Sequence, residues 1–348
     1  MKKIIILAFI LLTTFACAQP KKFAVRTIAF YNVENLFDTI NDPNTLDDAR
    51  TPEGADRWTS KCYNDHVQKI ARVLSEIGND VTHSAPDVIG LAEVENEAVV
   101  ADLINTSYLK DYNYGIVHYD SPDNRGVDVA LIYKKSAFKP ISSFPHPLHV
   151  YKDDGTPLNT RDQLLVSGEL DGEMVHFIVN HWPSRLGGEP RSRHLREEAA
   201  DLNKQIIDSL LKIDPNAKVF SMGDFNDDPT NSSFKKILQT KDKKEDVQKG
   251  DLFNPMETMY NKGMGTLAHQ DKWNLFDQIY FTYDVLKGDK SSYRYWKASV
   301  FNPDYLTTQT GRYKGYPFRS MANGNYTWGY SDHYPVCIYL IKKPKNKK

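Results

Sequence analysis

Val219-Phe220-Ser221-Met222-Gly223-Asp224-Phe225-Asn226-Asp227-Asp228-Pro229 is a short apolar run that ends abruptly, at a glycine, in carboxylates and an amide. It predicts a buried strand that delivers an acid and a carboxamide to its own terminus. Alone the signal is weak, because strands commonly end in Asx-rich turns with no chemistry attached. Four other stretches end in the same manner: Phe30-Tyr31-Asn32-Val33-Glu34-Asn35, Ile89-Gly90-Leu91-Ala92-Glu93-Val94-Glu95, Ile178-Val179-Asn180-His181-Trp182 and Ser331-Asp332-His333. Five polar strand ends of one character predict one shared site.

Working outward from that strand, apolar side chains at Leu195, Ala199, Leu202, Ile206 and Leu210 recur at helical spacing and predict a helix over 191–211. A second such stripe, at Val67, Ile70, Val73, Leu74 and Ile77, follows a long polar loop over 38–61. A further helix is expected over 96–105 and a short one over 233–238. Strands are expected over 25–31, 86–92, 112–118, 127–133, 276–281, 295–301 and 335–341. Asp171-Gly172, between apolar runs at 164–170 and 174–180, is a strong hairpin signal because both residues tolerate positive φ. Hairpins mixed with helices, and no linker between them, argue for two packed sheets covered by helices, in one domain over 22–341.

A chain of 348 residues, 40% hydrophobic and 12% aromatic, can bury a large core and is not a disordered polymer. Its first residues read differently. Lys2 and Lys3 precede an apolar run over 4–12 that is too short to span a bilayer and has the layout of a secretory signal. Ala16-Cys17-Ala18 favours cleavage after Ala18 over lipid attachment at Cys17, so residues 1–18 are read as a signal peptide and the protein as exported, periplasmic or secreted. Export would leave Cys62 and Cys337 where pairing is permitted, but the apolar surroundings of Cys337 favour a buried thiol.

The formal net charge is −1, from 44 basic and 45 acidic side chains. Setting aside Lys2, Lys3 and the five lysines of a basic tail over 342–348 leaves 37 basic against 45 acidic, or −8, for the body. A body of that sign is unsuited to strong sequence-independent adhesion to nucleic acid. A phosphate substrate must then be held locally or through cations.

Hard divalent cations take oxygen ligands and keep several waters, so a few carboxylates and an amide oxygen suffice. Asn32, Glu34, Glu93 and Asp332 supply such a set. The chain has no zinc-spaced Cys/His cluster, no His-Glu-x-x-His, no P-loop and no Gly-x-Ser-x-Gly elbow, which removes the main support for zinc proteolysis, P-loop chemistry and serine hydrolysis. Glu95 and Glu97 read as helix N-terminal charges, Trp182 as a packing residue, and His194 as part of a solvated helical face.

Asn32-Val33-Glu34, Glu93, Asn180-His181, Gly223-Asp224-Phe225-Asn226, Asp277-Gln278-Ile279-Tyr280 and Ser331-Asp332-His333 stand in the order seen in the endonuclease/exonuclease/phosphatase superfamily. The resemblance covers nearly all of the chain beyond residue 18 and is strongest to exported, nuclease-like members of Bacteroidetes-type bacteria. It implies an α+β fold, the DNase I-like four-layer αββα sandwich, with the site at one end of the paired sheets. It also implies a Mg²⁺ cofactor, with Mn²⁺ or Ca²⁺ as substitutes. Glu93 would be the principal metal ligand with Asn32 beside it, Glu34 would bind the metal or sit behind it, and Asp332 would complete the metal side. His333 would face the scissile phosphate, oriented by Asp277. Asp224 and Asn226 would position the attacking water, and His181 would bind a nonbridging oxygen. The base is left open between Asp224 and His333.

Arg185, Arg191 and Arg193 follow the His181 strand and suggest a basic rim in which Arg185, Arg191 and Asn180 contact substrate. The first expectation for function is a nuclease that acts as a monomer on nucleic acid, with no stable protein partner implied. A phosphomonoesterase or a sphingomyelinase-like phosphodiesterase are the alternatives. Tyr313, Tyr316, Tyr326 and Tyr330 are candidate base-stacking residues. A noncatalytic binding protein on the same fold is disfavoured, because Glu93, Asp224, Asn226, Asp332 and His333 are all retained.

Overall fold

A computed structural model describes residues 23–152 and 154–343. Residues 1–22, on which the expected signal sequence and Cys17 fall, Asp153, and residues 344–348 lie outside the described residues. Twelve strands form two six-stranded sheets. In chain order they are β1 (Ala24–Leu36), β2 (Val88–Val94), β3 (Tyr114–His118), β4 (Asp128–Lys134), β5 (Phe138–His146), β6 (Gln163–Leu170), β7 (Glu173–His181), β8 (Val219–Asp224), β9 (Leu252–Phe253), β10 (Asp277–Thr282), β11 (Arg294–Val300) and β12 (Val336–Lys342). Sheet one runs β11-β12-β1-β2-β4-β3 and sheet two β9-β10-β8-β7-β6-β5. Three helices cover them: α1 (Ser60–Glu76), α2 (Glu97–Ile104) and α3 (Glu189–Ile213).

Side chains on a strand alternate between faces, and here both faces are buried. From β1, Ile28 and Phe30 enter the core between the sheets, whereas Ala29, Tyr31 and Val33 pack outward beneath α1 and α2. On sheet two, Phe177, Val179, Phe220 and Met222 face inward, while Ile178 and Val219 pack against α3. Three apolar layers therefore separate four layers of secondary structure, giving the αββα sandwich of the DNase I-like fold.

Local signals set the element ends. The Thr59 side chain caps α1 by accepting from the Cys62 amide, and Asn96 caps α2 by accepting from Val99. Asp171 and Gly172 adopt φ of 49° and 80°, as a two-residue hairpin turn requires. Cys62 and Cys337 are both free, and Cys337 is buried. β12 takes in Lys342, one residue beyond the expected domain boundary, where its ammonium pairs with Glu173. The edge strand β5 was not anticipated, because Pro140 and Pro145 interrupt its pattern; an edge tolerates them since one side of the strand needs no partner.

Candidate active site

The inward alternation continues past the end of the apolar core, and there its residues become polar. Ile28 and Phe30 are followed by Asn32, Phe177 and Val179 by His181, and Phe220 and Met222 by Asp224; Phe281 and Ile279, read backwards on an antiparallel strand, lead to Asp277. Asn32 Nδ2 donates to Asp224 Oδ2 at 3.1 Å, which joins the two sheets at the rim. His181 Nε2 lies 3.7 Å from both Glu93 Oε1 and Asp224 Oδ2. His333 Nδ1 is 2.7 Å from Asp277 Oδ2, while its Nε2 lies 3.8 Å from Asp224 Oδ2 and 3.9 Å from Asp332 Oδ1. His333 arrives on the loop before β12, and Ser331 fastens that loop: its hydroxyl donates to the Asn32 carbonyl at 2.7 Å and accepts from the His333 amide at 3.1 Å.

Glu93 breaks the alternation. Counting from Val88 and Ala92, which face the inter-sheet core, its side chain belongs on the helix-covered face. A register shift between Ala92 and Val94, with φ of 64° at Glu93, redirects the carboxylate to the cleft, where Oε2 accepts from the Asn35 amide at 3.0 Å. Glu34, Asn35 and Asn226 are also left-handed, at φ of 52°, 55° and 50°. Non-glycine residues in that region cost roughly 1–3 kcal/mol each, and such strain concentrates at functional sites. The Asn226 amide donates to Asp224 Oδ1 at 2.9 Å and its Nδ2 to the Trp182 carbonyl at 3.0 Å, which leaves Oδ1 as the free polar group of a side chain lining the cleft.

The two histidines differ in charge. Burial disfavours the imidazolium at His333, but the Asp277 and Asp224 carboxylates outweigh it and hold the proton well above the usual histidine range. At His181 burial acts with the nearby Arg161 and Arg125 guanidinium groups, and the ring is held neutral. Burial raises Asp224 to about 6, against the pull of His333 and with Asp277 and Glu93 adding to the rise. Donor atoms of Asp224, Asp277 and His333 all lie within 4.8 Å of one another. Crowded carboxylates that raise one another's proton affinity are what a nearby hard divalent cation relieves, so the oxygen donors of Glu93, Asn32 and Asp332 beside Asp224 fit one.

Three sequence-based expectations are corrected. Asn180 lies on the outer face of β7, fully buried: Nδ2 donates to Ile178, Ser221 and Met222, and Oδ1 accepts from Trp182 and Asn203, so it contacts no substrate. Glu34, turned by its left-handed backbone, points away from the cleft; its carboxylate accepts from the Ser320 amide at 2.5 Å and from Arg319 at 3.2 Å. Burial and the neighbouring Asp332 raise it to about 8. Arg185 is a strut beneath the Asn226 turn rather than a rim residue: it donates to the Asn226 carbonyl at 2.8 Å and to Asn231 at 3.0 Å, with its guanidinium 4.4 Å over the Phe276 ring. The proposed stacking tyrosines are also mostly occupied. Tyr326 donates to Asp65 and packs on Trp58, Tyr316 donates to Asp271, Tyr330 is buried, and only Tyr313 is broadly exposed.

A cavity of about 690 Å³ opens from Glu93, His181, Asp224, Asn226, Asp332 and His333. Its lining also takes in Arg191, for which substrate contact is expected, and His194, for which a solvated helical face is expected. It also includes Arg125, Lys152 and Arg161, which the sequence reading missed because loop residues carry no periodicity. Arg161 is fully occupied, donating to Asp123 and to the His181 and Trp182 carbonyls. The asymmetric run Asp123-Asn124-Arg125-Gly126 before β4 was the available signal for a turn carrying a cation.

The sequence profile of the Endonuclease/Exonuclease/phosphatase family matches residues 27–342. No curated protein sequence matches significantly. Among solved structures, a Bacteroides thetaiotaomicron mannosyl-6-phosphatase is 18% identical, with 90% of this chain and 99% of that chain covered at a TM-score of 0.54. A humanized D. rerio TDP2 is 16% identical, with coverages of 91% and 98% and a TM-score of 0.53. The human Nocturnin catalytic domain is 14% identical, with coverages of 92% and 96% and a TM-score of 0.52. At these identities the likeness is one of fold.

Proposed function

The chain belongs to the endonuclease/exonuclease/phosphatase family and is a divalent-metal-dependent phosphoric ester hydrolase, and from that premise we propose that it is an exported nuclease that cleaves phosphodiesters by in-line attack of water. The observation that carries the reading is the gathering of Glu93, His181, Asp224 and His333 within 4 Å contacts at one end of the inter-sheet core. Glu93, Asn32 and Asp332 would hold the cation, Mg²⁺ in our reading with Mn²⁺ or Ca²⁺ as substitutes; bound there, it supplies positive charge to the phosphoryl and leaving oxygens.

A phosphodiester resists attack because its oxygens are already negative, so the protein must neutralise charge and align a water. His333, kept protonated by Asp277 and Asp224, donates Nε2–H to a nonbridging oxygen rather than serving as base. Asp224, raised to about 6, takes the water's proton near neutral pH, with Asn226 Oδ1 orienting that water. His181, neutral, offers a second N–H. Nuclease action is favoured over phosphomonoester hydrolysis by the basic side chains Arg125, Lys152 and Arg191 along the cavity, which suit a substrate carrying more than one phosphate. Export is supported by Lys2, Lys3 and the apolar run that follows them, and the excess of acidic over basic side chains in the body suits a protein that engages substrate only at its cleft.

The test is a panel of single-stranded DNA, duplex DNA, RNA, p-nitrophenyl phosphate, its bis-ester and sphingomyelin, assayed with Mg²⁺ and with chelator. Cleavage of nucleic acid that chelator abolishes is expected, and His333→Ala should lose about 10²–10⁴-fold in kcat. Activity that survives chelation, or that persists in His333→Ala, refutes the mechanism. Hydrolysis confined to the monoester or the lipid refutes the substrate class. N-terminal sequencing of the protein from its native host should begin at Gln19.

A further inference from the structure

The cavity is lopsided. From the catalytic end it extends between the loop before β4, Lys152 with the 158–161 segment, and the turn before α3, all on the β4, β6 and β7 half of the sandwich. On the other half, beside β1 and β12, Arg319 bridges Glu34 and Asp332 at 3.2 and 3.0 Å and fills the rim. A substrate that follows the cavity would therefore extend from the catalytic centre toward that half. That direction carries positive charge. Arg125 has one loose contact, 3.5 Å from Asp123 Oδ1, whose other oxygen is occupied by Arg161. Its guanidinium, half exposed, keeps open donors facing the cleft. Lys152 lines the same wall, and no hydrogen bond or ion pair engages its ammonium among the described residues. Arg191 and His194 face them from α3, with the Asn159 amide between. The catalytic end supplies carboxylates for a cation, whereas this end supplies cations for an anion.

Building on the phosphodiesterase reading above, we propose that Arg125 and Lys152 form a second anion subsite, which takes a phosphate one unit removed from the scissile bond. The preferred substrate is then a short, terminally phosphorylated phosphodiester rather than the interior of a long duplex. Guanidinium and ammonium groups on the wall of a cleft bind a phosphate dianion through charge-assisted hydrogen bonds, and a substrate lacking that phosphate leaves them unpaired. One such contact corresponds to about tenfold to a hundredfold in affinity.

The experiment compares kcat/KM for the dinucleotides TpT, pTpT and TpTp with Mg²⁺. One of the two phosphorylated forms should exceed TpT by about tenfold or more. Arg125→Gln/Lys152→Gln should bring that ratio close to one, with Lys152→Gln alone in between. A ratio near one in the wild type, or a double variant that lowers all three substrates by the same factor, overturns the subsite. A second readout does not need turnover: in an Asp224→Asn background, calorimetry should show thymidine 3′,5′-bisphosphate binding about tenfold more tightly than thymidine 5′-monophosphate, a gap that closes in Arg125→Gln/Lys152→Gln. Equal affinities overturn the subsite. Failure of the wild type to cleave any dinucleotide overturns the phosphodiesterase reading instead, and calorimetry then decides the subsite alone.

Discussion

Sheet two carries two polar clusters on the same three strands, one to three residues apart in sequence and on opposite faces. On the inner face stand His181, Asp224 and Asp277: charged, in contacts as long as 3.7 Å, and at the mouth of a cavity. On the outer face, beneath α3, stand Asn180, Ser221 and Tyr280, gathered around Asn203. Asn203 Nδ2 donates to Gln163 and Asn180 at 2.8 Å, and its Oδ1 accepts from Ser221 at 3.1 Å and Tyr280 at 2.5 Å. That second cluster is neutral, closed and satisfied. Pairs that look like single motifs, Asn180-His181 and Asp277-Gln278, are therefore split by the pleat: His181 and Asp277 serve the cleft, while Asn180 ties its strand to Asn203 of α3 and Gln278 accepts from Asn254 and donates to the Asp227 carbonyl.

The largest test of that division is Asp224→Asn. If the inner cluster is strained for chemistry, kcat should fall about 10³-fold, while thermal stability without metal holds or rises because a crowded carboxylate is removed. Steady-state kinetics and a melting curve decide it. A loss below tenfold, or a large drop in melting temperature, would place Asp224 with the structural cluster.

This division also explains how much was legible beforehand. Alternation from the apolar cores of β1, β7, β8 and β10 is enough to send Asn32, His181, Asp224 and Asp277 to one cleft, and the same count sends Asn180 to the other face. Substrate contact was assigned to Asn180 from motif adjacency, against that parity. Glu93 is the opposite case, since its cleft position depends on a left-handed residue at a bulge that no periodicity reports. Arg185 failed for a third reason. A cation near a site in sequence was read as a cation free in space, whereas Asp227, Asn231 and the Asn226 carbonyl had already claimed it.

The outer cluster is tested by Asn203→Ala. Four hydrogen bonds disappear together, and the Gln163, Asn180 and Tyr280 groups are left buried without their partner. Unfolding free energy in urea should drop by about 3–4 kcal/mol, with kcat of the folded fraction within about threefold of wild type. A kcat loss as large as that of Asp224→Asn would show the two faces to be one functional unit.

The smallest expected effect extends the comparison to sheet one, where His66 of α1 is a buried histidine with no carboxylate bonded to its ring. Its Nε2 donates to the Val33 carbonyl at 3.0 Å, directly behind the Asn32 and Glu34 rim, and Trp58 and Tyr326 pack against its ring. Burial lowers it to about 4, only partly offset by the Val33 carbonyl. His333, equally buried but beside Asp277 and Asp224, moves the other way. An unfolded histidine titrates near about 6.5, so between that value and about 4 the unfolded chain binds the extra proton. The His66 contribution is thus whole above about pH 6.5 and is lost as the pH falls through the window to about 4, up to about 3 kcal/mol in all. His66→Gln keeps a donor for Val33 but cannot titrate. Urea unfolding at pH 7.5 and pH 4 should show the wild type losing about 3 kcal/mol more than this variant across the interval. Equal losses would mean that His66 takes up its proton without leaving the core, and that a histidine on the outer face is buffered as well as one in the cleft.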